Sequence, residues 1–125
     1  MSTKLILTTG IYDLIKDHLR RKKVTKSQEV ILTEGLRNAK QVLRRDLPKD
    51  IVSVNNILRV KDVSTNDEIE VKLVAPDKAK FKKDKYSILS NLGLATVGKA
   101  VGETVEWPTA TEIKTYQILA TLPID

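Results

Sequence analysis

Apolar residues recur at three- and four-residue steps in the first third of the chain and at alternate positions over most of the rest. Between Thr9 and about Lys23, the residues Ile11, Leu14, Ile15 and Leu19 would share one helical stripe. Asp13 and Asp17 precede the cations Arg20 to Lys23, the charge order a helix dipole favours. Val24 to Ser27 interrupts the stripe, and Ser27 reads as the cap of a second helix. Leu32, Leu36, Ala39 and Leu43 repeat at steps of four, three and four, which predicts that this helix continues to about Asp46, with Pro48 as its stop. Two helices joined by so short a turn are expected to fold back as an antiparallel hairpin. At roughly 15 and 19 residues, they would reach about 22 to 28 Å.

After Pro48 the period changes. Ile51, Val52, Val54, Ile57, Leu58 and Val60 are β-rich, with Asn55-Asn56 permitting a turn or bulge, and Ile69, Val71 and Leu73 alternate with charged residues. Ala75 to Lys85 reads as a polar connection. Ser90 then opens one helical turn, Gly98 can close it in a left-handed conformation, and Gly102-Glu103 leads into a short strand around Val105 and Trp107. Trp107 is expected to close the core. Pro108 to Thr111 turns, and Tyr116, Ile118, Ala120 and Leu122 alternate towards the end. The whole predicts an α+β fold: a helical hairpin over residues 1–47, then a mostly antiparallel sheet with one short helix over 48–125.

Composition narrows the chemistry. Of 125 residues, 41% are apolar and 4% aromatic, so the core must be built from Leu, Ile and Val. The net charge of +6 tilts the chain towards acidic or polyanionic partners. Cysteine is absent, which excludes disulfides, thiolate metal sites and thiol nucleophiles. No apolar run approaches the roughly 20 residues a membrane helix needs, and Leu5-Ile6-Leu7 is too short for a signal-peptide core, so a cytoplasmic protein without membrane contact is expected. His18 is the lone histidine, and no Ser-His-Asp arrangement, phosphate-binding glycine loop or paired-carboxylate motif is present. The expectation is no catalytic residue, metal or cofactor.

Two stretches carry a resemblance. Ser90-Asn91-Leu92-Gly93-Leu94-Ala95-Thr96-Val97-Gly98-Lys99 followed by Gly102-Glu103-Thr104-Val105 resembles the Ser-Pro-Leu-Gly-x-Ala-Leu-Leu-Gly-Lys-x-x-Gly-Asp/Glu-x-Val signature of the carboxy-terminal domain of bacterial transcript-cleavage (Gre) factors. Leu47-Pro48-Lys49-Asp50-Ile51-Val52-Ser53-Val54-Asn55-Asn56-Ile57-Leu58-Arg59-Val60 is similar to a block of Rnk, the regulator of nucleoside diphosphate kinase, a relative of the Gre factors whose layout this chain follows most closely. Asn91 stands where the family usually has Pro, and Thr96, expected on an exposed side, where it has Leu. The resemblance implies an FKBP-like domain that docks on the rim of the RNA polymerase secondary channel, with the helical hairpin, a short coiled coil, pointing into it. It makes RNA polymerase the expected partner and elongation control the expected role. Arg59, Ser90, Leu92 and Lys99 are the candidate docking residues.

In Gre factors, as the resemblance implies, a long hairpin carries acidic residues at its tip that hold a catalytic magnesium ion. Here the tip reads Arg20, Arg21, Lys22, Lys23, Lys26 and Glu29. Magnesium takes hard oxygen ligands, and a ring of cations opposes it. The expectation is a Rnk-like protein that occupies polymerase without stimulating transcript cleavage. A monomer is expected, although Leu32 and Leu36 on the hairpin stripe offer a route to self-association.

Two other classes compete. The run Lys78 to Lys85, with Phe81 and Tyr86, interleaves cations and rings as a single-strand binder does, against the plainer reading of a solvated loop, so a free-standing DNA- or RNA-binding protein is one alternative. An FKBP-type peptidyl-prolyl isomerase is the other. Five aromatics in all, Tyr12, Phe81, Tyr86, Trp107 and Tyr116, are too few to wall a prolyl pocket.

Overall fold

The computed structural model describes residues 5–109 and 111–124, with the backbone alone at Phe81. Its elements run β1 (Ile6–Thr8), α1 (Thr9–Arg20), α2 (Lys26–Arg37), β2 (Lys40–Val42), β3 (Asn56–Asp62), β4 (Asp67–Val74), β5 (Lys85–Ser87), α3 (Asn91–Thr96), β6 (Thr104–Pro108) and β7 (Ile113–Pro123). This is an α+β architecture. Five strands form a sheet in the order β5-β4-β3-β7-β6, antiparallel except where β5 joins β4, and β1 pairs with β2 in a separate parallel ribbon.

The first helix starts where the Thr8 hydroxyl accepts from the Ile11 N–H, and it buries Ile11 and Ile15 from the predicted stripe. The second helix departs from expectation at both ends. Its cap is Thr25 and not Ser27: Thr25 Oγ1 accepts from the Gln28 N–H at 3.2 Å, and Gln28 Oε1 accepts from the Thr25 N–H at 3.1 Å. This reciprocal pair satisfies two of the helix's orphan donors. The helix ends at Arg37 and not near Asp46. The competing interaction is tertiary: the Lys40 N–H donates to the Leu5 carbonyl at 2.8 Å, and residues 40–42 complete a ladder with β1. Leu43, which helical spacing placed on the stripe, is 56% exposed. Each helix therefore has 12 residues and a rise of about 18 Å, short of the 22 to 28 Å expected.

β3 buries Leu58 and Val60 on one face and turns Arg59 to solvent on the other. β7 does not alternate throughout. Val60 faces Ile118 but Arg59 faces Ala120, so Leu119 is an extra residue that shifts the register. A one-residue slip flips every later side chain. Thr121 consequently comes inside, and Leu122, expected on the core face, is 60% exposed. β1 and β5 lie outside the strands read from the sequence.

One cluster of buried side chains runs through both parts of the chain, joining Leu7, Ile11, Ile15 and Leu32 to Leu58, Val60, Leu73, Ile88, Trp107 and Ile118. The turn after α3 is the junction. Gly98, at φ +81°, donates its N–H to the Val52 carbonyl at 2.9 Å, and its own carbonyl accepts from the Ile6 N–H at 3.1 Å. Its lack of a side chain is required twice over: a Cβ there would lie 2.8 Å from Leu7 Cδ2 in a backbone conformation L residues avoid. No helix among the described residues is long and apolar enough to cross a membrane.

Candidate functional site

The signature segment folds as a cap, a six-residue helix and a left-handed turn. Ser90 Oγ accepts from the Gly93 N–H at 3.2 Å, which starts α3. Leu92, Leu94 and Ala95 are buried beneath it. Gly93 packs against the preceding loop so closely that a Cβ would sit 2.4 Å from the Ile88 carbonyl oxygen. Thr96, expected on an exposed side, is instead fully buried. Its hydroxyl donates to the Leu92 carbonyl at 2.8 Å, so the polar group is satisfied inside the core. The Glu103 carboxylate accepts from the Ala100 N–H and closes the turn that follows.

Asn91 occupies the first helical position and does more than begin the helix. Its Oδ1 accepts from Trp107 Nε1 at 3.0 Å and from Gln28 Nε2 at 3.2 Å. Gln28 also donates to the Pro108 carbonyl at 2.7 Å. One amide thus joins α2, α3 and β6. Sequence reasoning missed Gln28, although the pair Thr25 and Gln28, three residues apart, is a capping-box signal.

Beside this junction, α2 and the α3–β6 edge bound a groove of about 850 Å³. Its floor includes Leu32, Leu94, Ala95, Val105 and Trp107, and its rim carries Glu34, Lys99, Glu103 and Glu106. Val30 and Ile31 on α2, 69% and 43% exposed, extend the apolar lip. Lys99 is half-buried, its backbone held by a bond from the Val52 N–H to its carbonyl at 2.9 Å.

The four predicted docking residues do not share one surface. Ser90 is engaged as a cap, and Leu92 lies in the core. Lys99 lines the groove. Arg59 lies on the outer face of β3, with its Nε 3.9 Å from both Glu68 and Glu70 of the neighbouring strand. These are exposed pairs of little energetic consequence.

The loop between α1 and α2 gathers the tip residues. Arg20 and Arg21 both pair with Asp17, Arg21 through Nε at 2.9 Å. The Arg20 hydrogen bond holds the Asp17 carboxyl below its ordinary range. Lys22, at φ 55°, turns the chain out of α1, and Lys22, Lys23 and Lys26 are exposed with no ion pair among the described residues. Glu29 lies in the first turn of α2. His18 is half-buried one turn before the loop, and burial lowers its pKa from the ordinary 6.5. No group of three or more His, Asp or Glu among the described residues is placed to hold a metal ion.

Of the five aromatics, Trp107 is buried and donates to Asn91, while Tyr12, Tyr86 and Tyr116 are half-buried against the core. The Phe81 side chain lies outside the described residues.

Comparison with known proteins identifies this arrangement. The family model described as "Transcription elongation factor, GreA/GreB, C-term" matches residues 47–122. A transcription elongation factor GreA from Clostridium botulinum is 37% identical over 88 residues, covering 70% of this chain and 55% of its own length. A GreA from Clostridium beijerinckii is 35% identical over 95 residues, covering 76% of this chain and 59% of its own. The chain thus spans little more than half the length of these relatives. In fold, a GreA/GreB elongation factor structure from Nitrosomonas europaea matches 97% of this chain and 99% of its own, at a TM-score of 0.70 and 23% identity. Gfh1 of Thermus aquaticus matches 88% of this chain and 71% of its own, at a TM-score of 0.53 and 19% identity. A family match over residues 47–122, which includes the whole α3 signature, together with a 37% identical relative, means that this chain belongs to the GreA/GreB family and shares its C-terminal domain.

Proposed function

We propose that this chain binds RNA polymerase and regulates transcription elongation without catalysis of its own. The observation that supports this most is the family match across the α3 signature, in a chain whose fold also follows a GreA/GreB elongation factor structure over nearly its full length. In this reading the β3–β7 domain is FKBP-like and grips the rim of the secondary channel, and α1 and α2 form a short antiparallel hairpin directed inwards. The protein works as a cytoplasmic monomer.

The lack of cleavage stimulation rests on the chemistry of the loop between the helices. Five cations, Arg20, Arg21, Lys22, Lys23 and Lys26, surround it. The nearest carboxylate on α1, Asp17, is already engaged by two arginines. Glu29 alone cannot complete the carboxylate set that magnesium takes in place of water. Helices of 12 residues also reach only about 18 Å from their base. The protein is therefore Rnk-like: it occupies the channel and delivers no metal.

Co-elution of the purified protein with core RNA polymerase, lost on addition of excess Gre factor, is the expected result. Failure to associate with core enzyme at low salt would remove the reading. On backtracked elongation complexes the expected result is no factor-dependent release of short 3′ RNA fragments, and rapid release would overturn the argument from the loop.

A further inference from the structure

We propose that the β4–β5 edge of the sheet is a docking face for the phosphate backbone of a single nucleic-acid strand, distinct from the α3 signature and from the helical tip. Lys72 of β4 is the direct ladder partner of Lys85 of β5, and Lys85 is in turn bridged to Lys80. The Lys80–Lys85 bridge is doubly hydrogen-bonded, at 2.9 and 3.1 Å. Ladder partners present their side chains on the same face. Because Val71 and Leu73 point into the core, that face is the solvent face. The three lysines are therefore neighbours across the ladder and share that face, on backbones about 4.8 Å apart from one to the next.

Like charges directly opposite one another destabilise a sheet. None of the three lysines has an ion-pair partner among the described residues. Residues 72–85 hold six lysines against two aspartates, a net +4 of the chain's +6. Glu68 and Glu70, on the same face, are turned to Arg59 instead. Lysine on an edge strand also discourages edge-to-edge pairing, which is reason enough for Lys85. It is no reason for Lys72, which lies on the second strand in. Lys78, Lys82 and Lys83 lie in the exposed turns beside the row.

The occupant follows from what the face lacks. A protein interface buries an apolar centre and is depleted in lysine. Among the residues whose side chains are described, the exposed large apolar ones, Val30, Ile31, Leu43, Val63, Val101, Ile113 and Leu122, all lie outside residues 72–85. A row of cations with no exposed apolar side chain among the described residues suits a sequence-independent phosphodiester backbone. A sheet edge flanked by single 3-10 turns, with no α-helix presented to enter a groove, suits one strand better than a duplex.

The test is fluorescence anisotropy of the full chain with a labelled 20-nucleotide poly-U RNA across a salt series. Binding is expected at low salt and should weaken as salt rises. Replacing the row, as Lys72→Gln, Lys80→Gln and Lys85→Gln together, should lower affinity on the order of tenfold at low salt and reduce the salt slope by about 2. The matching triple Arg variant should retain both, which separates charge from folding. Three results would overturn the proposal: no RNA binding by the unaltered protein, an unchanged slope in the Gln variant, or polyglutamate bound as tightly as RNA. The last would reassign the row to an acidic protein surface. Polymerase binding is read in a separate assay, so either conclusion can fail without the other.

Discussion

The indole N–H of Trp107 ends on the side-chain oxygen of Asn91, at 3.0 Å, at the position where the family usually has proline. Proline suits the first turn of a helix because its missing N–H is not needed there. It offers no acceptor, so this chain has exchanged a stiff start to α3 for a polar junction that also receives Gln28. Asn91→Ala should lower unfolding free energy by about 1 to 2 kcal/mol, the usual effect of leaving a buried donor, here the Trp107 N–H, without a partner, while Gln28 keeps the Pro108 carbonyl. A double-mutant cycle with Trp107→Phe checks it by urea titration, since the two losses should be less than additive if the bond is what matters.

Two glycines in helices should respond to alanine with opposite signs. Intrinsic propensity favours alanine by up to about 1 kcal/mol at either. At Gly10, where nothing lies within 4 Å of a new Cβ, Gly10→Ala should be neutral or slightly stabilising. At Gly93 the new atom would meet the Ile88 carbonyl oxygen at 2.4 Å and the Ser87 carbonyl oxygen at 2.8 Å, both main-chain atoms that cannot swing away. Overpacking of that kind costs about 1 to 3 kcal/mol or more and outweighs the propensity gain. Thermal midpoints of the two variants against the parent measure the contrast.

These positions show how the signature could be read correctly in one respect and misread in another. Its local chemistry was legible: Ser90 as cap, Gly98 in the left-handed region and Asn55 at a φ of 63° all follow from residue type. What the sequence did not disclose is long-range. The stripe Leu32, Leu36, Ala39, Leu43 keeps helical spacing past Arg37, and the helix ends there because Asn38 caps it, donating from Nδ2 to the Glu34 carbonyl, and because residues 40–42 pair with β1. Leu119 carries no mark of a bulge, yet it reverses the faces of Thr121 and Leu122. Thr96 can lie on an exposed side by sequence alone, but its hydroxyl bonds back to the Leu92 carbonyl of its own helix, which satisfies the polar group in the core. The candidate docking set combined a cap, a core residue and cations from two faces, because residue type alone does not say which side of a strand a side chain takes.

Acid should destabilise the protein in two steps. Burial lowers the His18 pKa below its ordinary 6.5, so the unfolded chain binds more protons there, and the stability present above that value is lost progressively as pH falls below it. Asp62 behaves in the same direction at lower pH. The Ser64 hydroxyl donates to its Oδ1 at 2.7 Å and lowers its pKa from 3.8, with Lys114 Nζ 3.5 Å from Oδ2 adding to the effect. Stability that is full above 3.8 should fall as pH drops through the lower folded value. Denaturant midpoints from pH 7 to pH 3 should show both limbs. His18→Gln should remove the upper one, and Asp62→Asn should flatten the lower one.

Charge reversal at two cations should separate the faces of the molecule in polymerase binding. Lys99 lies in the rim of the α2–β6 groove, next to the signature turn, and its backbone is held on both sides by bonds to Thr96 and Val52. Lys99→Glu leaves those bonds in place and changes the groove's charge by two units. We expect affinity for core RNA polymerase to fall on the order of tenfold, equivalent to about 1.4 kcal/mol. The fall should be concentrated in the association rate and should diminish as salt is raised, as for other rim charges. Arg59 lies on the opposite face of the sheet, where Glu68 and Glu70 already screen it. Arg59→Glu should leave polymerase affinity within about twofold of the parent, consistent with an exposed pair. Equal losses from both substitutions would mean that the net charge of the protein draws it to polymerase and that the groove has no particular part in docking. A loss at Arg59 alone would move the contact to the outer face of β3.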